Sequence, residues 1–117
     1  MHVRRGGEGI KEELLFQISE CLDHYEIENR IVNDWWFGKQ IIIGERGVRS
    51  RRAVFKISDD DDLAVDLVIG FSMEKLHAIA LYSKYRDEDH IGLPGEVHLR
   101  FPYLYQVMEF IKIVAEA

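Results

Sequence analysis

The chain has no threonine, a single cysteine, and only five amide side chains: Gln17, Asn29, Asn33, Gln40 and Gln106. One cysteine, Cys21, excludes an internal disulfide and favours a reducing, cytoplasmic setting. Few amides beside abundant Ile, Glu and Arg is a bias of heat-adapted proteins, and it points to a thermophile source. No apolar run exceeds the five residues from Ala78 to Tyr82, far short of a membrane span. The opening MHVRRGGEGI carries positive charge with no apolar stretch after it, so it does not read as a secretory signal. There is no P-loop, no G-x-G-x-x-G, no nucleophile elbow and no paired-cysteine motif. No catalytic signature is complete, which points away from an enzyme. No cofactor or metal is called for.

What is present is globular. Of the 117 residues, 47% are apolar and 31% charged, enough for one domain with its own core. Residues 1–7 read as a flexible N-terminal arm and 8–117 as a single domain. A net charge of −6 counts against a surface that binds polyanions everywhere, but leaves room for a local basic patch.

Residues 8 to 26 carry Ile10, Leu14, Ile18, Leu22 and Tyr25 at helical spacing, flanked by Leu15 and Cys21. Glu8, Glu12 and Glu13 are expected in the first turns of that helix, where its dipole favours negative charge. Residues 35–43, 53–57 and 63–69 are aromatic and β-branched and read as strands. Residues 73–85 fit both periods. Strand is the favoured reading, with Ser72 as N-cap and an Ala78, Leu81, Tyr82, Tyr85 stripe under the helical alternative. A strand over 96–101 buries Val97, Leu99 and Phe101. Pro102 then opens a terminal helix with its stripe on Leu104, Val107, Met108, Ile111 and Val114. The fold class expected is α+β: an N-terminal helix, a four- to five-stranded mostly antiparallel sheet and a C-terminal helix, packed as a two-layer sandwich. Trp35, Trp36, Phe37, Phe71, Tyr103, Tyr105 and Phe110 are many large rings for a small domain. With Phe110 and Ile113 off the terminal stripe, they suggest a homodimer.

Two constellations bear on function. Arg46, Arg49, Arg51, Arg52 and Lys56 place five of the 15 Lys and Arg residues within eleven positions. A cationic hairpin of this kind reaches phosphates, and Trp35, Trp36 and Phe37 nearby are able to stack on bases. The bland alternative is a solvated edge whose charge discourages aggregation. The Gly44-Glu45-Arg46-Gly47 stretch within it resembles the glycine loop of KH domains, which clamps a nucleic-acid backbone. In that family the loop joins two helices, whereas strand-like runs flank it here.

The second constellation is Glu12 and Glu13 on a helix, Asp66 in Val65-Asp66-Leu67-Val68-Ile69-Gly70, and Lys84. It resembles Holliday-junction resolvases and the wider PD-(D/E)xK nucleases. The resemblance implies a divalent metal on the carboxylates, Asp66 as a ligand and Lys84 as the catalytic lysine. Tyr82-Ser83-Lys84 stands where that family has Glu-x-Lys, so one carboxylate is missing. Residues 59 to 62 are four aspartates in a row, without calcium-loop spacing, and read as a solvated turn. The expectation from sequence is therefore a small non-enzymatic binding module that self-associates. Alternatives are a nucleic-acid-binding protein using the basic hairpin 46–56 or a degenerate nuclease around Asp66 and Lys84.

Overall fold

The computed structural model describes residues 2–36, 38–59, 62–89 and 92–117, with side chains described from residue 9 onward. Helix α1 spans His2–His24, followed by strands β1 (Arg30–Asp34), β2 (Gly38–Gly44), β3 (Arg52–Ile57) and β4 (Val65–Ile69). Helix α2 (Glu74–Leu81) precedes strand β5 (Val97–Phe101), and α3 (Leu104–Glu116) ends the fold. The sheet is a meander in the order β1-β2-β3-β4-β5, antiparallel throughout. The α+β architecture read from the sequence is the one observed.

One face of the sheet is the core. Ile41, Phe55, Leu67 and Leu99 are register partners across four strands, and all four are buried. Ala53, Ile69 and Val97 form a parallel row, as do Ile57, Val65 and Phe101. Period-2 alternation places each of these on the same side. Against them pack Leu15, Ile18 and Leu22 of α1 and Val107, Phe110 and Ile111 of α3. Helix α2 adds Ala80, fully buried, with Leu76 and Met73 beside it.

Several expectations are corrected. Residues 73–85 are not a strand: Glu74–Leu81 is a helix. Its N-cap is Met73 rather than Ser72. Of the stripe expected under the helical alternative, Leu81 and Tyr85 do pack on the core beside Met73, Leu76 and Ala80, whereas Ala78 and Tyr82 are exposed. Tyr82 is 90% exposed. The helix wins because β4 and β5 pair directly, which leaves no slot between them for another strand. The fifth strand is β1, missed because the short run Arg-Ile-Val-Asn-Asp buries only part of each face. Trp35 and Trp36 lie in the β1–β2 turn rather than in a strand.

Helix α1 begins at residue 2, so Glu12 and Glu13 lie beyond its first turn and gain little from the dipole. Ile18 and Leu22 of the expected stripe are buried, with Leu15 beside them and Leu14, Cys21 and Tyr25 partly buried against the core; Ile10 alone of the stripe is exposed, at 47%. Helix α3 starts at Leu104, two residues after Pro102. The Gln106 side chain accepts the Tyr103 N–H at 3.0 Å, and Gln106 N donates back to the Tyr103 carbonyl at 3.1 Å. Phe110, expected as spare surface, is core: it packs on Phe101 with centroids 5.4 Å apart.

Candidate binding face

The three helices share one side of the sheet, so the other side carries no helix. Period-2 alternation sends the complementary residues there: Gln40 and Ile42 from β2, Arg52, Val54 and Lys56 from β3, Asp66 and Val68 from β4, His98 and Arg100 from β5. Ile42, Val54, Val68 and His98 are register partners and form a floor across the centre. Ile42 is 3% exposed and Val54 9%, although no helix lies over them. Long charged side chains, together with Gly92, Leu93 and Glu96 of the loop before β5, wall in a recess of about 650 Å³ above this floor. Charged stems that cover apolar floor keep their heads in contact with solvent. That makes this side a solvated face rather than a second core.

The recess is charge-balanced. Arg49, Arg52, Lys56 and Arg100 line it together with Asp34, Asp66, Asp87 and Glu96. Lys56, Asp66 and Arg100 are register partners on three adjacent strands. Arg100 bridges Asp66 at 3.5 Å and donates to Ser58 Oγ at 3.1 Å. His98 sits 3.5 Å from Glu96, with Gly92 against its ring; a Cβ on Gly92 would run into the imidazole. Trp36, 78% exposed and edge-on to Trp35, stands at the rim.

The five basic residues singled out from the sequence divide. Arg49, Arg52 and Lys56 reach the recess, while Arg46 and Arg51 lie on the exposed loop outside it. Arg51 pairs with Glu45 at 3.3 Å. That loop is braced. Ser72 N donates to Ser50 O at 2.8 Å and Gly70 N to Arg52 O at 2.9 Å. Gly44 and Gly47 take φ of 92° and 84°, conformations that glycine enters cheaply. The Gly-x-x-Gly stretch therefore joins two antiparallel strands, not the two helices of a KH domain.

The nuclease constellation does not come together. Asp66 lies on the helix-free face, whereas Glu12, on α1, pairs with Lys39 at 2.9 Å on the opposite side of the sheet. Lys84 is in the turn after α2, over the Tyr85 ring at 5.1 Å. The strand beside Asp66 is β5, which offers Arg100 where a metal site needs a carboxylate. Among the described residues no group of three or more His, Cys, Asp or Glu is placed to hold a metal ion. Asp59 is exposed and pairs with Lys11 at 2.9 Å; Asp60, Asp61, Phe37 and His90 lie outside the described residues. Burial pushes the Cys21 thiol pKa up, which keeps it protonated and a poor nucleophile at neutral pH.

The residues missed from sequence are Asp34, Gln40, Glu96, His98 and Arg100. The signal for two of them was present: if Val97, Leu99 and Phe101 point inward, His98 and Arg100 must point out. A smaller recess of about 460 Å³ lies among the three helices, but its floor is core: Leu22, Phe55, Phe110 and Ile111. No known protein family, curated protein or solved structure matches the chain. Among the described residues no helix is long and apolar enough to cross a membrane.

Proposed function

We propose that the protein is a cytoplasmic, non-enzymatic binding module that self-associates and docks a polypeptide segment on the helix-free face of its sheet. The observation that supports this reading is the balance of the recess: apolar Val54, Val68 and Leu93 within a rim of four cations and four carboxylates. A segment carrying both charge signs around an apolar residue matches such a rim, whereas a polyanion would meet the four carboxylates as well. Peptides selected on the protein from a random display library should therefore combine acidic and basic residues around an apolar anchor. They should bind an Arg49→Glu/Arg52→Glu variant about tenfold or more weakly, a loss of roughly 1.4 kcal/mol. Equal affinity for the variant would remove the recess from the account.

A second reading is favoured by one observation: Arg49, Arg52 and Lys56 converge on the recess while Trp36, mostly exposed, stands at its rim. That pairing of cations with an aromatic platform suits single-stranded nucleic acid. It predicts retention of a single-stranded oligonucleotide that weakens steeply with salt and is lost when the three cations become Glu. No retention at low salt would leave the polypeptide reading alone.

A further inference from the structure

The two edges of the sheet are treated differently. Along the outside of β5 runs the segment 85–87: Arg100 N donates to Tyr85 O at 2.9 Å, and Asp87 N to His98 O at 2.8 Å. Strand β1 forms the other edge, and among the described residues the backbone of Ile31, Val32 and Asn33 is bonded only to β2. The strand has no proline, lysine or bulge to blunt it, and Ile31 is 42% exposed. An open edge of this kind is a template for another strand.

The order of residues on this edge says which strand fits. Arg30 and Asp34 lie two positions either side of Val32, and all three point to the helix-free face. We propose that a second copy of this chain pairs there, β1 antiparallel to β1 about a two-fold axis through Val32, joining the two sheets into one of ten strands. In that register Arg30 of each copy stands directly opposite Asp34 of the other, twice over. A slip of one residue would turn every side chain to the wrong face, and a slip of two would break both pairs.

The charged groups have capacity for this. Arg30 spends one donor on the Gly44 carbonyl at 3.0 Å, out of the five its guanidinium carries. Asp34 accepts the Trp36 N–H at 2.8 Å, and a carboxylate accepts from several donors at once, so an arginine across the axis adds to its existing partners. On the helix side, Ile31 and Phe16 line one recess, with Phe16 57% exposed. A strand laid along this edge covers the exposed part of Ile31, which removes apolar surface from water on that side as well. An unrelated strand would satisfy the edge backbone, whereas a second copy also supplies the matching reversed order of charges.

This interface rests on the self-association reading, and sedimentation across a concentration series separates the two. Arg30→Glu and Asp34→Arg each place like charges opposite one another at both contacts, and each should weaken dimerisation about tenfold or more. The Arg30→Glu/Asp34→Arg double variant restores opposite charges and should dimerise close to wild type. An equimolar mixture of the two single variants should form a heterodimer. Far-UV circular dichroism checks that each variant is folded; should one fail, Ile31→Lys on the same edge must weaken dimerisation in its place. A wild type monomeric throughout overturns self-association and this interface together. A dimer unmoved by either reversal leaves self-association standing and overturns the edge assignment. Singles that weaken without recovery in the double variant or the mixture overturn the Val32-centred register.

Discussion

Phe101→Ala is expected to cost about 3–5 kcal/mol of folding stability, the largest loss from any single truncation discussed for this chain. The ring is fully buried, packed against Tyr85 at 4.9 Å and Phe110 at 5.4 Å between centroids. It therefore ties β5 to α3 and to the turn after α2, and its removal opens a cavity at the junction of three elements. Against a total stability of about 5–15 kcal/mol for a domain of this kind, the loss is a large fraction. Urea titration should show the midpoint falling sharply with an unchanged slope. A loss under about 1 kcal/mol would mean that the β5–α3 junction repacks, contrary to the packing described.

The second large effect is at Gly70. A Cβ there would collide with the backbone of Arg49 and Ser50, which has no rotamer to move aside. The residue is where β4 ends and where the basic loop is hydrogen-bonded to the chain leading into α2. Gly70→Ala should cost on the order of 1–3 kcal/mol, the usual range for overpacking, and should displace Arg49 from the recess. Gly9 is the control: it is exposed, in α1, with nothing near its Cβ position, and Gly9→Ala should stabilise by about 0.5–1 kcal/mol. Thermal melts of the two variants should therefore move in opposite directions. Parallel shifts would refute the distinction.

Much of this molecule was legible in its residues, and the failures have physical causes. Strands β3, β4 and β5 announce themselves because Phe55, Leu67 and Leu99 alternate with Lys56, Asp66 and His98 or Arg100. Residues 73–85 did not, since Ala, Ile and Leu satisfy either period when closely spaced. There the decision belonged to the pairing of β4 with β5, a tertiary fact. Phe110 looked surplus because its place off the stripe of α3 was judged without knowing that Phe101 lay beneath it. The binding face shows the same limit. Arg49, Arg52 and Lys56 were visible as a basic run, but their company was not. Asp66 and Arg100 become their neighbours only through strand register, which joins residues 56, 66 and 100 across two connections. A run of arginines read alone suggests a polyanion. Set beside four carboxylates, it supports the mixed-charge polypeptide proposed above.

The two faces of the sheet carry different methyl groups, and methyl-resolved NMR shows directly which of them meets a ligand. With a display-selected peptide added, the methyls of Val54, Val68 and Leu93 should shift. Those of Ile41, Leu67 and Leu99, on the same strands but turned into the helical layer, should hold still. Shifts concentrated on the second group, or on α1 and α3, would contradict the helix-free face as the binding surface.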